Sequence, residues 1–342
     1  MGSDNGRNVT IAMIARLAGV SVPTVSRVIN GRSDVAPGTR ERVEALLNHH
    51  GYRRRTQARR TDAALIDLVF NDLDSPWAVE IIRGVEDVAL SSGVGTVVSA
   101  IHWRITSAKQ WLDNMRTRST EGVIFVTSMV NPPLQAELRR LHLPVVVIDP
   151  AGVDPQESPT IGATNWAGSL SATQYLIGLG HRRIGFIAGP PHLMCSRARM
   201  DGYRAALGAA GIPVDEALIR PGNFYHEAGF TSGTHLLALP DPPTAIFASS
   251  DQMALGVYEA VRKRGLRVPD DISVVGFDDL PEVRWCSPPL TTIRQPLAEM
   301  GMLAARTVLR LASGEKTESP RIELATELVI RDSTRPPRPP GA

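Results

Sequence analysis

The sequence predicts an all-α helix-turn-helix headpiece followed by a larger α/β region of two lobes. Three observations carry that prediction. The stretch Thr10 to Asn30, TIAMIARLAGVSVPTVSRVIN, holds two short amphipathic runs on either side of Gly19. From Ala64 onward, short apolar runs alternate with helical segments, the pattern of parallel sheets covered on both faces. That second region, of roughly 270 residues, is too long for one doubly wound sheet of ordinary size, so two lobes are expected.

In the first stretch Ile11, Ile14, Ala15 and Ala18 recur at three- and four-residue steps and so share one helix face, with Thr10 placed to cap the exposed amides. Gly19 permits a sharp turn. Ser21 can cap the second helix, and Pro23 is tolerated in its first turn because amides there have no intrahelical partner. Val25, Val28 and Ile29 face inward. Outward remain Val22, Pro23, Thr24, Ser26, Arg27 and Asn30, side chains suited to base edges and phosphates. A third helix is expected over Ala36 to His50, closing the small core with Val43, Leu46 and Leu47. The run Arg53 to Arg60 has too few apolar residues to pack, so residues 53–62 read as a solvated basic linker.

Beyond it, strands are expected at ALIDLVF, VGTVVSA, GVIFVTS, PVVVIDP, RRIGFIAGP, TAIFASS and ISVVGFDD, with helices at PWAVEIIRGVEDVALSSG and from about Ser107. The domains are therefore read as 1–52, a linker 53–62, a two-lobed region 63–333 and a proline-rich disordered tail 334–342. Met129, Val130, Pro132, Pro133 and Leu134 look surplus to the core and are assigned to a subunit interface.

Net charge is +2, but residues 1–60 carry eleven arginines against Asp4, Asp34, Glu41 and Glu44, a balance of +7 that leaves −5 for the rest. The basic end is the polyanion-facing end. Hydrophobic residues make up 43% and charged ones 21%, ordinary for a globular chain. There is no apolar run long enough to span a membrane and no apolar N-terminal segment, so no membrane partner and a cytoplasmic location are expected. Cys195 and Cys286 lack metal-ligand spacing and are expected to be free; no cofactor and no metal are expected.

Enzyme readings fail on their motifs. The G-x-x-x-x-G-K-[ST] loop and the G-x-S-x-G elbow are absent, and the Gly93 and Gly178 turns lack the third glycine of a dinucleotide site. Asp278 and Asp279 are adjacent on a strand and must point to opposite faces, which is wrong for a glycosidase pair. No catalytic residue is assigned.

The polar strand ends suggest where a ligand binds. In open parallel sheets, ligands sit at the carboxyl ends of the strands. Asn71, Asp149, Ser250, Asp251 and Asp278 all fall there. Carboxylates can accept paired hydrogen bonds from sugar hydroxyls, and Arg199 can donate a planar fork. Trp77, Trp103, Trp166 and Trp285 either line such a pocket or fill the lobes, packing being the commoner fate.

The stretch A-G-V-S-x-x-T-V-S-R-V-I-N from Ala18, with G-H-R-R-I-G-F-I-A-G from Gly180, R-M-D-G-Y from Arg199, S-D-Q-M-A-L-G from Ser250, V-P-D-D-I-S-V-V-G-F-D-D from Val268 and P-P-L-T-T-I-R-Q-P from Pro288, resembles the LacI-type bacterial transcription regulators over nearly the whole chain. The resemblance implies a periplasmic-binding-protein-like effector domain with crossovers near 163, 294 and 325. It implies a homodimeric repressor that reads a pseudo-palindromic double-stranded operator and whose DNA affinity is set by a small sugar effector. It also implies effector contacts at Asp149, Arg199 and Asp278, a stacking aromatic at Phe224, and Gln295 beside the pocket. A likeness to actinobacterial sugar-utilisation regulators points to a plant-polysaccharide sugar. Purines or phosphoproteins are the effectors of other members, and a sugar-transport module is the rival class that the DNA-reading end excludes. Met13 replaces the family's usual aspartate, and the linker lacks the Pro-Asn and the leucine of the family's hinge helix, leaving Arg59 or Arg60 as the minor-groove contact.

Overall fold

The computed structural model describes residues 11–29, 35–49, 64–102, 105–115, 117–126, 132–150, 158–317 and 319–338. The chain divides into two units, 1–62 and 63–342. Thr10, Asn30, Arg59, Trp103, Met129, Val130 and the basic linker lie outside the described residues, as do the side chains of Ile11, Ile29, Pro132 and Pro133.

The first unit holds three helices: α1 (Ile11–Ala18), α2 (Val22–Ile29) and α3 (Pro37–His49). Gly19 turns the chain between α1 and α2 at φ +67, where a side chain would be strained. The Ser21 hydroxyl accepts from the Thr24 amide at 3.3 Å and so caps α2. Ile14, Ala15, Ala18, Val25, Val28 and Val43 form a buried cluster, with Leu46 and Leu47 packed against its edge. These are the inward positions that the three- and four-residue spacing predicts.

The larger unit begins with β1 (Leu65–Phe70), α4 (Pro76–Ser91), β2 (Gly95–Ala100), α5 (Ile105–Met115), β3 (Thr120–Val126), α6 (Pro132–Arg140), β4 (Val145–Ile148) and β5 (Thr160–Ala163). It continues with α7 (Asn165–Gly178), β6 (Ile184–Ile187), α8 (Met194–Ala209), β7 (Ile219–Arg220), α9 (His226–Leu237), β8 (Ala245–Ala248), α10 (Asp251–Lys263) and β9 (Ser273–Asp278). It closes with β10 (Thr291–Arg294), α11 (Leu297–Ala312), β11 (Arg321–Leu324) and β12 (Glu327–Val329).

These strands form two sheets, ordered β11-β5-β4-β3-β1-β2 and β12-β10-β9-β8-β6-β7. All pairings are parallel except β10 with β12. Interior strands are buried on both faces, as their unbroken apolar runs require. The five strands that sequence did not single out, β5, β7, β10, β11 and β12, are two to four residues long. Unlike the equally short β4, β6 and β8, they have no unbroken apolar run to mark them.

The chain passes between the lobes three times: between β5 and α7, between β10 and α11, and between β11 and β12. These crossovers fall where the family resemblance places them. Two are tied together, because Thr164 Oγ1 accepts from the Thr326 amide at 2.9 Å and pairs with Thr326 Oγ1 at 3.0 Å. After the second crossover, α11 packs back on α4 of the first lobe. A methyl group on Gly84 would lie 1.9 Å from the Ala298 carbonyl oxygen, so only glycine allows that approach.

Two expectations are corrected. Leu134 is buried in the first lobe's core beside Leu138 and Phe125, so it belongs to packing and not to a subunit interface. The tail from Thr334 is not free of the fold as far as Arg338. Thr334 bonds the Tyr175 hydroxyl at 2.8 Å, the Arg335 carbonyl meets His181 Nε2 at 2.9 Å, and Arg335 and Arg338 pair with Asp270 and Asp271. A proline-rich run predicts disorder, but the arginines of this one find carboxylates. Among the described residues, no helix is long and apolar enough to cross a membrane.

Candidate functional site

In the first unit α2 presents Val22, Pro23 and Arg27 to solvent, with Ser21 exposed at its cap and Thr24 and Ser26 half-buried. The Ser21 and Thr24 hydroxyls pair at 2.8 Å. The exposed face thus offers a guanidinium and two apolar groups on a rigid helix, the equipment for reading a major groove.

In the larger unit the carboxyl ends of both sheets face a cleft of about 650 Å³. The first lobe contributes Phe70 and Asn71 at the end of β1, Trp77 and Ala78 from the first turn of α4, and Asp149 after β4. The second contributes Arg199 from α8, Phe224 and Tyr225 ahead of α9, Ser250 at the cap of α10, and Asp278 at the end of β9. Of the eight sequence-predicted effector residues, Asn71, Asp149, Arg199, Phe224, Ser250 and Asp278 therefore come together.

Arg199 is the centre of the polar wall. It is 3% exposed, its Nε donates to Asn165 Oδ1 at 2.8 Å, and one terminal nitrogen donates to the Ser249 carbonyl at 2.6 Å. That same nitrogen stands 3.9 Å from Asp278 Oδ1. The guanidinium lies 3.8 Å above the Phe277 ring centroid and 5.4 Å from that of Phe224, so aromatic faces complete its desolvated setting. These contacts hold the guanidinium fixed in the cleft wall.

The two carboxyls are shifted by that setting. Burial pushes Asp278 up to about 6, against the opposing pull of Arg199 and the Gln295 amide. Asp149 is also held above the ordinary carboxylate range by burial, with Arg199 and a hydrogen bond from the Cys195 thiol acting the other way. Three of the cleft residues have positive φ without being glycine: Asp149 at 50, Phe224 at 74 and Asp278 at 132. Such backbone is unfavourable by on the order of 1–3 kcal/mol per residue, and its concentration here marks a site whose geometry the surrounding fold enforces.

Two predicted effector residues are corrected. Asp251 is fully buried and does not line the cleft; its oxygens accept from Thr292 Oγ1 at 2.5 Å and from the Leu280 amide at 2.8 Å. It turns inward and fastens the loop after β9. Gln295 stands behind the wall, where its Nε2 donates to Asp278 Oδ1 at 2.6 Å and orients that carboxylate. Ser250 reaches the cleft, yet its hydroxyl donates to the Phe224 carbonyl at 2.9 Å and caps α10 by accepting from Met253 at 3.2 Å. Asp279, one residue past β9 and at φ 58, faces away from Asp278 into Arg284, Arg294 and Arg331, so the two carboxyls do diverge, though through a left-handed turn of the backbone and not through strand alternation.

Sequence reasoning did not single out Tyr225, Asn223, Gln252, Leu193 or Cys195, which also line the cleft. Asn223 and Tyr225 flank Phe224, and that adjacency was the available signal. Among the described tryptophans only Trp77 lines the cleft; Trp166 and Trp285 are 46% and 79% exposed, so neither fills a core. Both cysteines are free. Among the described residues no acidic, cysteine or histidine cluster could hold a metal.

Comparison with known proteins follows the same division. The profile of bacterial regulatory proteins of the lacI family matches residues 10–55, and that of the periplasmic binding protein-like domain matches residues 173–334. The transcriptional repressor CytR of Escherichia coli (strain K12) is 36% identical over 329 residues, 95% of this chain and 96% of its own. This chain belongs to the LacI family. The transcriptional regulator CelR of Thermobifida fusca is 34% identical across 96% of this chain and 98% of its own. Among solved structures, a CelR–cellobiose complex covers 95% of this chain and 99% of its own at a TM-score of 0.73. The Lac repressor dimer bound to operator covers 96% and 100% at a TM-score of 0.71 and 29% identity. As a LacI-family member, the chain is a DNA-binding transcription regulator with an effector-binding domain.

Proposed function

We propose that this LacI-family chain is a cytoplasmic repressor that binds a pseudo-palindromic operator as a homodimer and changes its operator affinity when a neutral sugar enters the cleft. It carries out no catalysis. One observation supports the effector reading above the others: a buried arginine beside the Asp278 carboxyl and the Phe224 ring, with Asp149 and Trp77 lining the same cleft from the first lobe. Carboxylates and a guanidinium match the donors and acceptors of adjacent hydroxyls, and a ring face matches the apolar face of a pyranose. Two aspartates beside one arginine disfavour an anionic ligand. The cellobiose and ribose complexes of related structures accord with a sugar.

In this reading Asp149, Arg199 and Asp278 hold the hydroxyls, Phe224 stacks, and Asn71 and Ser250 border the ligand. Val22, Pro23 and Arg27 reach base edges, while Thr10, Ser21, Thr24, Ser26, Asn30 and Arg59 meet the backbone or minor groove. The headpiece spans 1–52 and the hinge 53–62. A single headpiece reads few base pairs, so two half-sites are needed for useful specificity.

The experiment is a thermal-shift screen of the purified chain against mono- and disaccharides, followed by operator gel shifts with each hit. A sugar at a hundred times its dissociation constant adds about 2.7 kcal/mol of stability. If no mono- or disaccharide stabilises the chain while purines or phosphorylated compounds run in a parallel panel do, the sugar assignment is overturned.

A further inference from the structure

A second cavity, of about 300 Å³, lies on the crossover side of the larger unit. The first turns of α7 and α8 and the edge strand β11 wall it, through Asn165, Trp166, Cys195, Arg321 and Glu323, together with Asp149. Asp149 and Cys195 also line the effector cleft, so they form a wall that the two cavities share.

We propose that this cavity is a second ligand site, for a single neutral sugar ring. Trp166 sits in the first turn of α7 and is 46% exposed, which is unusual for the largest apolar side chain on a helix that otherwise packs against α8. An exposed indole face beside polar groups offers the C–H face of a pyranose a platform. Arg321 and Glu323, two residues apart on β11, share one face and pair with each other. Together they supply the donors and acceptors that hydroxyls require. The carboxyl and guanidinium side chains lining the cavity are Asp149, Glu323 and Arg321, and burial keeps the Cys195 thiol protonated, a balance that disfavours an anion. The volume is at the lower end for small-molecule sites and less than half that of the cleft, so it suits one ring.

Two connections couple this cavity to the cleft. Asn165 lines the second cavity while its Oδ1 accepts from Arg199 Nε at 2.8 Å and its Nδ2 donates to the Ala163 carbonyl at 3.0 Å. A ligand that shifts Asn165 therefore shifts the arginine of the cleft. Asp149 presents its carboxyl between the two spaces, with Cys195 as its hydrogen-bond partner. The coupling, though not the binding, rests on reading the cleft as the effector site.

Each cavity has its own tryptophan, which makes the test direct. Intrinsic fluorescence of the full chain is titrated with D-glucose, D-galactose, D-mannose, D-xylose and D-ribose separately, in the parent and in Trp77→Phe, Trp166→Phe, Phe224→Ala and Glu323→Gln variants, each verified by circular dichroism. The expected result is that at least one sugar gives a change that survives Trp77→Phe and Phe224→Ala, vanishes in Trp166→Phe, and weakens at least fivefold in Glu323→Gln. Changes that vanish only in Trp77→Phe or Phe224→Ala would overturn the second site while leaving the cleft reading intact. A Trp166-dependent change with no cleft-dependent one would uphold the second site and count against the cleft as a monosaccharide site. No change with any of the five sugars would overturn the single-ring assignment.

Discussion

The Tyr225 hydroxyl donates to Asp72 Oδ1 at 2.7 Å, and the two residues come from opposite lobes. Tyr225 precedes α9 in the second lobe, and Asp72 follows β1 in the first. Both border the cleft, so this bond spans its mouth. Burial together with the Asp72 carboxylate pushes the Tyr225 hydroxyl above its ordinary range, so it stays protonated and remains a donor at every physiological pH.

Tyr225→Phe removes that bond and keeps the ring. A hydrogen bond to a charged acceptor is worth about 1.5–3 kcal/mol when buried, and less at this half-exposed position. The expected outcome is a three- to tenfold rise in the effector dissociation constant by calorimetry, with a melting temperature within about 2 °C of the parent.

Asp278 gives the cleft a pH dependence. Burial pushes its carboxyl up to about 6, so if it accepts from the ligand as proposed, effector affinity should be level above pH 7 and fall by up to about tenfold per unit below 6. Asp278→Asn should bind more weakly and with a flatter profile between pH 5 and 7. The ligand-free fold has the opposite sign. The folded state holds the proton more tightly than the unfolded chain, so the contribution of Asp278 to stability declines as pH rises from about 4 to 6 and is constant above that. Calorimetric melting of parent and Asp278→Asn at pH 5 and 7 measures the difference.

Gly189 supports Phe224 from beneath. A methyl group there would lie 2.2 Å from two ring atoms of Phe224 and 2.4 Å from Ser196 Oγ. Gly189→Ala should displace the ring, lower effector affinity at least tenfold and leave operator binding unchanged in a gel shift without effector. Unchanged effector affinity would mean that Phe224 does not stack on the ligand.

Arg27→Ala tests the DNA-reading helix. With an operator selected from a random library by the parent chain, affinity should fall by about 1–3 kcal/mol, with preference relaxed at one base position per half-site. A uniform loss across all sequences would instead place Arg27 on a phosphate.

Much of this was legible because periodicity survives where packing is two-sided. The apolar runs of β1, β3, β8 and β9 and the stepped spacing of α1 and α2 record burial directly. The convergence of strand ends in parallel sheets pointed to Asn71, Asp149, Ser250 and Asp278 in the cleft wall, whereas Arg199 on α8 and Phe224 ahead of α9 were indicated by the family resemblance. Asp251 and Gln295 were misread for one reason: a polar residue at a strand end can turn toward the ligand or back into the loop that shapes the site, and composition does not distinguish the two. Tyr225 was missed because its partner Asp72 is more than 150 residues away in the sequence.

The three crossovers dictate the order in which the chain can finish folding. The first lobe's core requires Met300, Ala304, Ala305 and Val308 of α11, which leave the ribosome only after nearly all of the second lobe. The second lobe in turn closes its sheet with β12, later still. Neither lobe is a contiguous segment that can be completed, excised or exchanged by itself. A frameshift shortly after Gln295 would leave both lobes with open cores, exposing apolar surface on a nascent protein whose headpiece has already been synthesised. Chimeras that swap effector specificity between relatives must therefore be cut at all three crossovers or at the boundary with the headpiece.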